Sequence, residues 1–86
     1  MNKLMDLLDT ITSAREDYRI GNAAQNILRR ASESLSKDQD MLATDRRIAE
    51  MMLKSIYARI QVSMNVASLE LNAAVDAVAA IERGNS

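Results

Sequence analysis

Apolar positions recur at helical spacing in three stretches of the chain. From about residue 2 to 19, Leu4, Leu7, Leu8, Ile11, Ala14 and Tyr18 share one face. From about 22 to 36, Ala24, Ile27, Leu28, Ala31 and Leu35 share another, with Ile20 just ahead of it. From about 41 to 83 a single row stays within an arc of ~60–80° at ~100° per residue: Leu42, Ala49, Leu53, Ile56, Ile60, Met64, Ala67, Leu71, Ala74 and Val78. This pattern predicts one all-α domain over residues 1–86. It is either a long helical hairpin or a kinked three-helix bundle, with a long C-terminal helix and an expected tendency to oligomerise.

The first two rows do not line up. On a straight helix they lie ~150° apart, so one of them would face water. A kink or break is therefore expected at "IGN", residues 20–22, with Gly21 as the hinge. The alternative is an unbroken helix in which Gly21 admits a closely packed neighbour. "SESLSKDQD" reads as the following turn, with Ser36 or Asp40 able to cap the next helix. Gly84 in "RGNS" is a natural stop for the last one. "IQVSMNV", residues 60–66, alternates like a strand. No turn residues bound it and alanine-rich sequence follows, so helix is the expectation.

The C-terminal stretch poses the sharpest question. Residues 59–81 carry only Arg59, Glu70 and Asp76 as charges, in a chain that is 27% charged. Besides the long row, they hold a second apolar row of Val62, Val66, Leu69, Ala73, Ala77 and Ala80. The rows lie roughly 160–200° apart, separated by a polar ridge of Gln61, Asn65, Ser68, Asn72 and Asp76. A single neighbouring helix covers only one of them. The second row is therefore a candidate protein interface, because contiguous exposed apolar patches mark interaction sites. It is covered either by another chain or by a first segment folded back as a third helix. The ridge reads as a solvated face or, more sharply, as the lining of a polar groove.

Composition narrows the function classes. Eighty-six residues bury a modest core and gain most from staples, metals or oligomers. The chain has no cysteine and no histidine, so neither disulfides nor a nitrogen- or sulfur-ligated metal is expected, and no cofactor. The net charge of −1 and the absence of Phe and Trp argue against nucleic acid. Arg29, Arg30, Arg46 and Arg47 lie near the turn among Glu33, Asp38, Asp40, Asp45 and Glu50. Ordinary surface ion pairs are the expectation there, with a phosphate site as the alternative. Met51 and Met52 read as core filling or as an adaptable surface, and Tyr18 and Tyr57 as packed-boundary residues. There is no nucleophile elbow or glycine-rich phosphate loop, so no catalytic residues are assigned and an enzyme is not expected. Asp6 and Asp9 interrupt the N-terminal apolar run, which rules out an ordinary cleavable signal. No run of ~18 apolar residues appears, so no membrane span is expected. The chain is read as cytoplasmic, or as exported without a cleavable signal.

"YARIQVSMNVASLELNAAVDAVAAI", residues 57–81, resembles the C-terminal helix of inner-rod and needle subunits of bacterial type III secretion systems. The likeness rests on "VSM" at 62–64, "AVD" at 74–76 and the low charge density. It covers about 25 residues of the chain. The chain departs from that family's pattern in having no proline in its turn and in ending "ERGNS". The resemblance implies a hairpin-forming structural subunit whose C-terminal helix mediates assembly. The second class in view is a small helical adaptor, chaperone or inhibitor, such as a secretion chaperone or mobile-element regulator. Such a protein offers the same helix to one protein partner.

Overall fold

The computed structural model describes residues 2–84. Two helices, α1 (Lys3–Lys37) and α2 (Ala43–Gly84), form a single antiparallel hairpin. Its extents are 66 × 20 × 14 Å. The radius of gyration is 19.3 Å, against the ~12 Å of a compact domain of this length.

Local chemistry sets the ends. The Asn2 side chain accepts a hydrogen bond from the Leu4 N–H at 3.0 Å, satisfying one donor that the first helical turn leaves free. At the other end Asp38 takes extended backbone angles and its N–H bonds to the Leu35 carbonyl. The Asp38 side chain then accepts from the Asp40 N–H at 3.0 Å, an Asx-type turn. Arg46 reaches back from α2 to the Asp38 carbonyl and ties the turn to the second helix. The turn is shorter than the sequence indicates. Ser36 remains in α1, where its hydroxyl bonds to the Glu33 carbonyl. At the far end Gly84 is the last residue of α2, and the rest of the "RGNS" stop lies outside the described residues.

The break expected at residues 20–22 is absent. α1 runs through Gly21 without interruption, and no described glycine has a positive φ. Gly21 is therefore a packing position and not a hinge. A Cβ placed on it would lie 2.5 Å from Met64 Cγ and 3.4 Å from Ile60 Cγ2. The two helices touch there at a distance that only glycine permits.

The two rows on α1 join because the hairpin is wound at a coiled-coil period. Leu7, Ile11, Ala14, Tyr18, Gly21, Gln25, Leu28, Ser32 and Leu35 follow one another by alternating steps of four and three. All but Tyr18 are buried or half-buried. On α2 the inward series is Glu50, Leu53, Tyr57, Ile60, Met64, Ala67, Leu71, Ala74, Val78 and Ile81. A 3.5-residue seam drifts ~20° per heptad from a straight 3.6-residue helix. Between the centres of the two rows, fewer than three heptads apart, that drift removes about a third of the apparent offset. The remainder arises because Ile20 and Ile27 belong to no inward row: they are 53% and 64% exposed. Leu42, placed on the inward row of the long helix by sequence, lies ahead of α2 and is 69% exposed, and Ile56 is 41% exposed at the edge of the seam. The segment with strand-like alternation, residues 60–66, lies inside α2.

Candidate functional site: the two faces of the long helix

The seam between the helices is thin. The buried residues are Ala14, Gln25, Met64, Ala67 and Ala74, and no large side chain is fully buried. Small residues bring the backbones together but remove little apolar surface from water. The exposed area is 6722 Å², roughly 1,700 Å² more than the ~5,000 Å² of a compact monomer of this mass. An isolated two-helix hairpin has no second layer to cover that excess.

Midway along the seam a polar cluster sets the register. Gln25 is 5% exposed. Its Nε2 donates to Gln61 Oε1 at 3.0 Å and reaches the Tyr57 carbonyl at 3.5 Å. Gln61 in turn donates to Asn65 Oδ1 at 3.0 Å. A buried amide in a helical seam fixes alignment, because a slipped register would leave it without partners. Part of the polar ridge read from sequence is thus an extension of this cluster. Gln61 and Asn65 are hydrogen-bonded to each other along the flank of α2.

Five of the six residues of the second apolar row lie exposed on the side of α2 turned away from α1. Val62, Val66 and Leu69 are 62%, 48% and 70% exposed; Ala73 and Ala80 are exposed as well. Ala77 is half-buried and sits on the shoulder of the row. At the 3.5-residue period Asp76, not Ala77, stands in line, giving 59, 62, 66, 69, 73, 76 and 80 in alternating steps. Continued toward the turn, the row passes Ser55, Met52 and Ile48, of which Met52 and Ile48 are 61% and 52% exposed. Among the described residues Arg59 and Asp76 form no ion pair within the hairpin. α2 therefore carries two seams of the same period on opposite sides, and α1 occupies one.

The outer face of α1 is different. Ile20, Ala23 and Ile27 form a short apolar run there, flanked by Asp9, Glu16 and Arg30. Glu16 is paired within its own helix. Arg19 Nε donates to its Oε2 at 3.1 Å, and that hydrogen bond together with the arginine charge holds the Glu16 carboxyl below its ordinary pKa.

The remaining candidates show no convergent chemistry. Arg29 donates to Asn26 and Arg46 to the Asp38 carbonyl. Among the described residues Arg29, Arg30, Arg46 and Arg47 make no ion pairs, contrary to the expected surface network. Exposed pairs of long side chains gain too little to hold one geometry. Met51 and Met52 are exposed and fill no core. Tyr57 is half-buried and Tyr18 46% exposed, both at the edge of the seam. A shallow groove opens beside the turn between Leu35, Ala49, Met52, Leu53 and Ile56. No group of three or more acidic side chains able to hold a metal occurs among the described residues.

By length and composition α2 is also apolar enough to cross a membrane, with a stretch of mean hydropathy 1.3 of which 17% is buried. The expectation of no spanning segment thus meets one helix that passes this test. Glu70 and Asp76 lie in its apolar third, and each acid costs ~2.5–3.5 kcal/mol at the centre of a bilayer-spanning helix. Compared with family models, curated proteins and solved structures, the chain matches none of them.

Proposed function

We propose that the chain is a non-enzymatic assembly protein whose long helix packs against a further helix through the Val62–Val66–Leu69 row. The observation that carries this reading is the second heptad row on α2. It has the period of the seam that α1 covers, yet its Val62, Val66 and Leu69 are 62%, 48% and 70% exposed in the hairpin. A regular 3.5-residue row is the pattern a partner helix reads, knob into hole. Isolated surface leucines and valines need no such explanation. The thin inner seam works in the same direction, since a hairpin with no fully buried large side chain gains stability from further burial.

A rod- or needle-like subunit is one form of this function. The resemblance of residues 57–81 to type III inner-rod and needle subunits favours it, as does the hairpin architecture that the resemblance implies. An adaptor or chaperone that presents α2 to a single helical partner is the other form. Both bury the same row.

The test is Leu69→Glu in the full chain, read by light scattering coupled to size exclusion, circular dichroism and thermal melting. Where the row is an interface, the wild-type melting midpoint rises with protein concentration or with added partner. The variant loses that dependence while keeping its helix signal at low temperature. Loss of helicity in the variant under conditions where the wild type is a monomer would mean that the row belongs to an intramolecular core.

A further inference from the structure

We infer that the helix covering the outer row belongs to a second copy of this chain. It runs antiparallel to α2, with Val66 of one copy against Leu69 of the other and Arg59 against Asp76. This deepens the assembly reading above and rests on it.

The argument is one of register. Antiparallel seams pair layer by layer, and a twofold interface repeats each contact in reverse. The row can be laid against its own copy in registers that differ by one heptad. With the twofold between Ala67 and Ser68, Val66 meets Leu69, Val62 meets Ala73 and Arg59 meets Asp76, each contact occurring twice. Moving the twofold half a heptad toward the turn sets Arg59 against Leu69 and Asp76 against Met52. Moving it the other way sets Asp76 against Val66. Between residues 59 and 76 only the central register places apolar on apolar and cation on anion; beyond that span Ala80 meets Ser55. Like most charged side chains among the described residues, Arg59 and Asp76 make no ion pair within the hairpin, so both are available to a second copy. The flanks of the row are uncharged at Ser63, Asn65, Asn72 and Ala77, and Glu70 is the one charge among them, set beside Asn65 of the other copy in this register. A parallel pairing would set Arg59 against Arg59 and Asp76 against Asp76.

The area agrees. A stable interface buries ~800 Å² on each partner. The hairpin's 6722 Å² exceeds that of a compact monomer by about twice that amount, so one such contact absorbs around half of the excess. The outer face of α1 is not an equal candidate, since its charges interrupt the row after three residues and Glu16 is already paired.

Charge exchange tests the register. Light scattering and sedimentation equilibrium on the full chain should show a dimer of the 9.5 kDa subunit as the smallest associated species. Arg59→Asp and Asp76→Arg should each raise its dissociation constant by about tenfold, because two favourable pairs become two repulsive ones. The double variant should restore it to within about threefold. Both side chains are exposed, so neither change removes a packed group. The absence of cysteine allows a second readout, oxidation of an equimolar mixture of Val62→Cys and Ala73→Cys chains. The expected product is the mixed 62–73 cross-link. A folded wild-type monomer at all concentrations overturns the second copy, while leaving the assembly reading to its own Leu69→Glu test. Association indifferent to charge exchange, or a dominant 62–62 cross-link, overturns the antiparallel register.

Discussion

The two sides of α2 carry the same repeat and end in opposite states. On the inner side Met64, Ala67 and Ala74 are each 4% exposed; on the outer side Val62, Val66 and Leu69 are 48–70% exposed. The difference is not one of residue type, for both sides carry aliphatic side chains at the same spacing. It arises because α1 lies against only one side of α2 and, among the described residues, the hairpin holds no further helix for the other. Close backbone approach and large buried area are alternatives at a helix contact. Around Gly21, against Met64 and Ile60, the inner seam takes the first; the outer row offers Val62, Val66 and Leu69 for the second.

Substitutions on each side should separate the two. Leu69→Glu places a carboxylate in the outer row and should weaken association at least a hundredfold, since burying an unpaired charge is among the costliest single changes. Its effect on a dissociated hairpin should be negligible, and melting at high and low concentration distinguishes these. Met64→Ala should do the reverse. It removes the largest buried side chain of the inner seam and should cost about 2–4 kcal/mol in chemical denaturation, with no change in the concentration dependence of association. If both variants act on the same property, the two sides are not independent and the comparison fails.

Gly21 sharpens the inner side further. Gly→Ala in a helix interior ordinarily gains ~1 kcal/mol from propensity. Here the new methyl would lie 2.5 Å from Met64 Cγ, so Met64 must leave its rotamer, at a cost of about 1–3 kcal/mol. The net expectation for Gly21→Ala is a loss of about 1 kcal/mol on denaturation. In a Met64→Ala background the methyl has room, and the same substitution should become stabilising. Such a sign reversal is specific to close packing; a hinge would show no dependence on residue 64.

Much of this was legible in the sequence, and the failures share a cause. Helix content, the turn, the long C-terminal helix and the outer position of Val62, Val66 and Leu69 follow from composition and spacing. The seam on α1 does not, because Gly21, Gln25 and Ser32 occupy positions where a pattern reader looks for leucine. A glycine reads as an end, and a glutamine reads as surface. Only the partner helix reveals that one makes room for Met64 and the other is held by Gln61. Placing Ala77 instead of Asp76 in the outer row has a related origin. A period of 3.6 fits a straight helix, and the seam shows this pair to be wound at 3.5. Asp76 then moves from the polar ridge into the row, where its charge becomes a constraint on what can pack there.

The smallest predicted effect concerns the charges of the two outer faces. On α1, Glu16 is satisfied by Arg19 one turn away; on α2, Arg59 and Asp76 have no such partner. The lowered pKa of Glu16, caused first by the Arg19 hydrogen bond and then by its charge, fixes the direction of the pH effect. A carboxyl whose folded pKa lies below its unfolded value contributes stability above the unfolded pKa and loses it as the pH falls through the folded one. Because both side chains are exposed, solvent screens the pair, and the loss in acid should be barely visible in a melting curve. A site-resolved carboxyl titration is the suitable measurement. Glu16 should titrate below an ordinary glutamate, and Arg19→Gln should return it to the ordinary value. Neither Arg19→Gln nor Glu16→Gln should alter association, whereas Asp76→Asn should weaken it. Equal effects at residues 16 and 76 would mean that the outer face of α1 is also an interface, and that the asymmetry between the helices lies elsewhere.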